Sequence, residues 1–229
     1  MELDFSCANC KRVVCDTDHA GTGPENCPTR TAADVFDQVK AEYQKPDVKE
    51  FARQASIQEF ECYLQLPEGT TPRNPRVEEV AQFAGKMGYR RLGIAFCAGL
   101  REEARILDEI LTRRGFEVVS VCCKAGGVPK ESIGITEEQK IAGPCVWETM
   151  CNPIAQAMLL NEAGSEFNVV VGLCVGHDSL FFKYAEAPTT VLIAKDRVFG
   201  HNPAAGLYLS KSYYRKLRRR TPKDVKRQD

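Results

Sequence analysis

The sequence predicts an α/β protein: a doubly wound parallel sheet of about four to five strands, preceded by a small Cys-rich metal module and a helical segment. Three observations carry this. From Arg76 onward, short apolar runs alternate with segments of helical period, the order that builds a parallel sheet with helices on both faces. The run Val169 to Leu173 is apolar and β-branched without alternation, as a strand buried on both faces must be. Residues 1–30, by contrast, interleave four cysteines with glycine and proline, a composition that cannot build a hydrophobic core.

Those cysteines come first. Cys7-Ala-Asn-Cys10, Cys15 and Cys27-Pro28 have the spacing C-x2-C-x4-C-x11-C-P. Four thiols so placed can fold around a metal, whose binding energy then becomes folding energy. Tetrahedral zinc usually takes two short Cys pairs, and here there is one. A closing Cys-Pro also ends the bacterial ferredoxin run, so iron–sulfur is favoured, with zinc close behind and His19 as a substitute zinc ligand.

Thr31 to Gln44 carries Ala33, Phe36, Val39 and Tyr43 at helical spacing. Asp47 to Leu66 reads as a second helix, with Val48, Phe51, Ala55, Phe60 and Leu64 on its apolar face and Cys62 in that pattern as core. The Pro- and Gly-dense run from Leu66 to Pro75 is a loop. The expected organisation is a metal module over 1–30, a helical linker segment over 31–75, an α/β domain over 76–217 and a basic flexible tail over 218–229.

Within the α/β part, Val77, Val80, Ala81 and Ala84 mark a helix stopping near Gly88. Arg91 to Phe96 is a buried strand ending at Cys97. Leu100, Ala104, Leu107, Ile110 and Leu111 share one face of a helix closed by Gly115. Phe116 to Val121 is the next strand and ends at Cys122-Cys123. Lys124 to Cys151 is a long loop, of the kind that is functional or mobile. Asn152 as cap and Pro153 at the first helical position start a helix running to Gly164. The strand after it ends at Cys174 and turns through Gly176, with Asp178 and Ser179 as cap candidates for a short helix. Pro188 to Ala194 is the last strand. Lys195-Asp196-Arg197 then leads to a second Asn-Pro start at Asn202 and a last helix that includes Leu207, Tyr208, Tyr213 and Tyr214. Lys211 to Arg220 reads as helix running into the basic tail.

Parallel strands put their carboxyl ends along one edge, where open α/β sheets bind ligands. Three successive strands end in Cys97, Cys122-Cys123 and Cys174. Cys151 precedes a helix N-terminus, where the dipole favours a thiolate. Cys97, Cys123, Cys151 and Cys174 are therefore candidate ligands of a second, sheet-edge cofactor site. The competing account makes them ordinary buried thiols. His177 and Asp178 are the candidates for proton transfer and orientation beside them. There is no G-x-G-x-x-G and no Walker A motif, so nothing specific points to a nucleotide.

At 229 residues, 43% hydrophobic and 27% charged, the composition is that of a soluble globular protein. No apolar stretch approaches the roughly 20 residues of a membrane span, so no membrane partner is expected. The first residues lack the marks of a signal peptide, which makes the cytoplasm the expected compartment. Eleven cysteines in a reducing compartment point to metal or thiol chemistry rather than a disulfide framework. Residues 211–229 hold nine Lys/Arg against Asp224 and Asp229, a charge of +7 balanced by −7 in the remainder. No aromatic-interleaved basic patch accompanies this tail, so nucleic acid is not an expected partner.

Taken together, Cys7-Ala-Asn-Cys10 with Cys15 and Cys27-Pro28, Gly93-Ile-Ala-Phe-Cys97, Val121-Cys-Cys123-Lys, Cys151-Asn-Pro-Ile-Ala-Gln156, Gly172-Leu-Cys-Val-Gly-His-Asp-Ser179 and Gly200-His-Asn-Pro203 resemble a prokaryotic family. Its members are predicted metal-binding proteins of unknown function, and the resemblance covers nearly the whole chain up to about Leu217. It implies metal binding and supplies no reaction. The strand-Cys-turn layout is also similar to that of iron–sulfur desulfidases of the thiouracil type, where a cluster held by three thiolates leaves one iron free for sulfur. The expected function is thus a metal-binding protein, iron–sulfur of the [4Fe-4S] type or zinc, with a second cysteine site acting on a small, sulfur-containing or other, substrate. The alternatives are an electron carrier serving a redox partner protein and a zinc-stapled binding module.

Overall fold

The computed structural model describes residues 5–219, and the chain divides into two compact units at Pro72 and Arg73. In the first unit, short 3-10 turns at Cys7–Asn9 and Ala20–Thr22 precede α1 (Pro28–Thr31), α2 (Ala33–Glu42) and α3 (Pro46–Glu61). A hairpin of β1 (Tyr63–Leu66) and β2 (Gly69–Pro72) follows. The hairpin corrects the sequence reading, which ran the helix to Leu66 and left the rest as loop. The physical reason is Pro67: it disfavours helical backbone at Leu66 and sets up a tight turn with Glu68. Gly69, at φ 135, then starts the return strand in a conformation open to glycine. Cys62 is buried as expected, its Sγ donating to the Gln58 carbonyl at 3.0 Å.

The second unit contains α4 (Arg76–Lys86), β3 (Arg91–Phe96), α5 (Arg101–Arg113), β4 (Glu117–Cys122), α6 (Pro153–Glu162), β5 (Phe167–Val171), α7 (His177–Tyr184), β6 (Thr189–Ile193) and α8 (Pro203–Tyr208). The four strands form one parallel sheet in the order β4-β3-β5-β6, the α/β architecture the sequence predicts. From β3 the chain steps outward to β4, then crosses back to β5 on the other side. That reversal places the switch point, where such sheets open a crevice, between the carboxyl ends of β3 and β5. The register brings these ends level, since Phe96 pairs with both Cys122 and Val171.

All five residues of β5 are buried, as are Leu92, Ile94 and Ala95 of β3. Leu107 and Leu111 of α5, Leu160 of α6 and Phe181 of α7 pack over them, each contributing about 1.5–3 kcal/mol by leaving water. Gly93 fits the tight approach of α6: a Cβ there would lie 2.3 Å from Asn168 Oδ1 and 3.0 Å from Leu160 Cδ1. The helices are charged to suit their dipoles, with Glu102 and Glu103 in the first turn of α5 and Arg113 in its last.

Three expectations change in this unit. β5 stops at Val171 rather than Leu173, because Gly172 turns the chain at φ 68. The residue capping α7 is Gly176 at φ 84, not Asp178 or Ser179. The terminal helix ends at Tyr208, and Tyr213 and Tyr214 lie in turns between 3-10 segments at Leu209–Lys211 and Arg215–Arg218. There the Tyr214 ring packs edge-on against Phe199 at 4.8 Å, which a straight continuation of α8 would forgo. Residues 220–229, most of the expected basic tail, lie outside the described residues. Among the described residues no helix is long and apolar enough to cross a membrane.

Candidate functional site

Each sulfur at the sheet edge is fixed by backbone. One residue past β3, the Cys97 amide donates to the Val171 carbonyl at 3.1 Å, and one past β4, the Cys123 amide donates to Phe96 at 2.9 Å. These bonds extend the sheet ladder into the cysteines. Asn152 caps α6 through Oδ1, which accepts from the Ala155 amide at 3.1 Å, while its own amide donates to the Cys123 carbonyl at 2.7 Å. Cys151, the next residue back, is thereby held beside Cys123. Gln156 completes the frame: fully buried, its Nε2 donates to the carbonyls of Phe96 (3.1 Å) and Val121 (2.7 Å). One side chain of α6 thus ties together the ends of β3 and β4.

The result is a chain of three sulfurs from three elements. Cys123, 2% exposed, accepts from the Ala98 amide at 3.3 Å and lies between Cys151 and Cys97, each near enough to shift its thiol. The Cys97 thiol is pulled down to about 4, first by the neighbouring Cys123 thiol, then against burial by the Gly99 amide and the Lys195 ammonium. Cys151 falls to about 5, first through Cys123, then through the charges of Lys124 and His177. Cys123 moves the other way, far up, because its two neighbours hold its proton in place. The three thiols titrate as a coupled set, Cys97 and Cys151 shifted toward the thiolate and Cys123 toward the thiol.

Cations surround it. Lys195 Nζ donates to Cys97 Sγ at 3.2 Å and Arg197 Nη2 donates to Cys174 Sγ at 3.1 Å. Arg197 is held protonated first by that bond, and it also feels the charges of Cys97 and Cys151. The carboxylates of the same loops are turned away. Asp196 Oδ1 accepts from the amides of Val198 (2.8 Å) and Phe199 (2.9 Å), and Asp178 Oδ1 from those of Gly176 (3.0 Å) and Ser179 (2.8 Å).

Of the residues the sequence singles out, Cys97, Cys123 and Cys151 therefore come together, and Cys174 joins the same edge through Arg197. His177 is half-buried in the first turn of α7, near enough to Cys151 to act on its charge. Asp178 is spent on its own turn rather than on a sulfur. In the first unit, Cys7, Cys10 and Cys27 line one cavity of about 210 Å³, whereas Cys15 is not among its lining residues and His19 faces Asp18 at 3.4 Å. Gly23 belongs to the fit, since a Cβ there would fall 2.9 Å from Cys27 Sγ. All eleven cysteines are free, and among the described residues no group of three or more His, Cys, Asp or Glu side chains is placed to hold a metal ion.

Sequence reasoning passed over Lys195, Arg197 and Gln156 as site residues. For the two cations a signal existed, since Lys195-Asp196-Arg197 closes the fourth strand where the others close in cysteine. For Gln156 the signal was a polar residue on the buried face of an otherwise apolar helix.

The chain is 39% identical over 213 residues to an uncharacterized protein of Methanocaldococcus jannaschii, covering 93% of this chain and 98% of that relative. Residues 27–192, which include all four sheet-edge sulfurs, match the family described as protein of unknown function DUF1847. The chain belongs to that family.

Proposed function

We propose that this is a cytoplasmic metal-binding protein centred on the carboxyl edge of the sheet, with Cys97, Cys123 and Cys151 as thiolate ligands of an iron–sulfur cluster of the [4Fe-4S] type and zinc as the alternative metal. The observation that carries the reading is the sulfur cluster: three elements each deliver one thiol to the same edge, the buried Cys123 lying between the other two. Ordinary core thiols have no reason to meet in threes at the edge where such sheets take ligands. Thiols brought to one edge are a donor set for a cation, because a coordinating thiol gives up its proton. Among the described residues no three such side chains are grouped to hold a metal ion as they stand, so binding has to reposition the three sulfurs, onto one ion for zinc and onto three separate irons for a cluster. Bound there, a cluster with three thiolates offers an open position for a small molecule, and sulfur-containing compounds are the first class to try. His177 is the residue to move a proton at that position, and Asp178 holds the turn that carries it. In the first unit, Cys7, Cys10 and Cys27, with Cys15 completing the set, are ligands of a second metal that staples the fold.

A second reading is favoured by the sulfur contacts themselves. Neighbouring thiols, one of them with a depressed pKa, can form a disulfide by passing two electrons and two protons to a partner protein's disulfide, which would make the edge a dithiol redox site. Anaerobic purification with iron, zinc and sulfide analysis separates the two. The metal reading expects bound iron and sulfide with visible absorption, reduced in Cys123→Ser. Colourless, metal-free protein that cycles a Cys123 disulfide would replace it with the second reading.

A further inference from the structure

Lys195 and Arg197 raise a question the metal does not answer. They stand two residues apart on one short loop after β6, each on a different sulfur, and neither has a carboxylate partner among the described residues. Lys124 is in the same position: its ammonium bonds the Thr149 carbonyl at 2.5 Å and no acid. The acids at hand are occupied elsewhere, Asp178 and Asp196 on backbone amides and Glu148 on Lys130 at 2.6 Å. Room is kept for the ammonium as well. Gly99 has an ordinary φ, so its missing side chain provides space rather than conformation: a Cβ would lie 3.3 Å from Lys195 Nζ and 3.9 Å from Cys97 Sγ.

Charge decides what such an edge can take. Lys195, Arg197 and Lys124 bring three positive charges to an edge whose nearby carboxylates are engaged elsewhere, beside the N-terminus of α6. We propose that the small molecule taken at the sheet edge is an anion, carboxylate- or phosphate-bearing, gripped by Lys195 Nζ and the Arg197 guanidinium beside Cys97 and Cys174. This takes its small molecule from the metal reading, while the grip itself needs only the two cations. Arginine's planar fork suits two oxygens of one such group, and the lysine adds a point charge.

The test uses full-length protein, wild type and the variants Lys195→Met and Arg197→Gln. Inorganic phosphate and acetate are the probes, and uncharged acetamide is the control. Metal content is measured first, then the visible spectrum and melting temperature through each titration. Expected are wild-type metal content in both variants, a phosphate or acetate response in wild type that acetamide does not give, and binding weakened about tenfold per variant. If the variants lose metal, the cations only balance the thiolates and the proposal falls. If they respond to both anions as wild type does, it also falls. Wild-type protein that holds no metal sinks the metal reading alone. The melting-temperature arm then decides the anion site: stabilisation by either anion that both variants lose keeps it, and its absence ends it.

Discussion

The two groups of cysteines differ in what holds them. In the first unit, Cys7 and Cys15 are exposed, and the segment from Phe5 to Thr31 buries only Gly23. Its turns rest on short-range bonds, such as the Cys10 amide to the Cys7 carbonyl at 3.0 Å and Cys10 Sγ to the Arg12 carbonyl at 3.3 Å. At the sheet edge, Cys97 and Cys123 are buried, and their amides continue the ladder of a sheet whose strands are far apart in sequence. One set hangs on local turns of an exposed segment; the other is brought to one edge by a buried sheet. If the proposed metals bind, identical side chains should couple them differently, to folding in the first unit and to function in the second.

The largest effect expected from this contrast is metal removal. With a strong chelator under reducing conditions, amide protection over residues 5–31 should fall about a hundredfold or more, while β3 and β5 keep theirs. Cys10→Ser should do the same without chelator. Equal protection of residues 5–31 with and without metal would break the comparison. The next effect attacks the scaffold instead. Gly172 turns the chain from β5 toward Cys174 at φ 68, and a Cβ there would meet Leu100 Cδ2 at 2.6 Å. Gly172→Ala combines a strained φ with overpacking and should cost about 2–4 kcal/mol in chemical denaturation. It should lower metal binding at the sheet edge and spare the first unit. A loss below about 0.5 kcal/mol would mean that Leu100 moves aside and the edge is less rigid than described.

Why some of this was legible in the sequence and some was not follows from the same physics. Doubly buried parallel strands must be apolar throughout, so β3 and β5 announce themselves, and Asn152-Pro153 announces α6. Strand alternation allows only one of Cys122 and Cys123 into the site, and the buried one is Cys123. The hairpin of β1 and β2 was missed because Tyr63 to Leu66 fits the end of a helix equally well until Pro67 is weighed. Strand order was not readable at all, and the sulfur partners depend on it. β6 lies beside β5, so its loop brings Lys195 to Cys97 and Arg197 to Cys174, while Cys151 reaches Cys123 through the Asn152 amide. Pattern locates strand ends; it does not measure the gaps between them.

The smallest effect concerns the opposite end of the same sheet and asks whether the two edges are independent. Glu166 Oε2 accepts from the amides of Arg90 (2.6 Å) and Arg91 (2.8 Å), closing the amino edge between β3 and β5. The Arg91 amide foremost, then that of Arg90, holds its carboxyl below the usual range. A carboxylate depressed in the folded state adds stability that is present above its unfolded value, about 4.3, and lost as pH falls through the folded value. Glu166→Gln keeps an acceptor but removes the charge. Because the side chain is exposed, the loss near pH 7 should be only about 1 kcal/mol, shrinking toward zero as the medium is taken well below about pH 4. Urea midpoints at both pH values measure it. A loss that stays constant with pH would assign the effect to geometry rather than charge. Metal content in this variant should equal that of the wild type; a fall would show that strain at the amino edge reaches the sulfurs, and the sheet would then transmit what it is taken here to isolate.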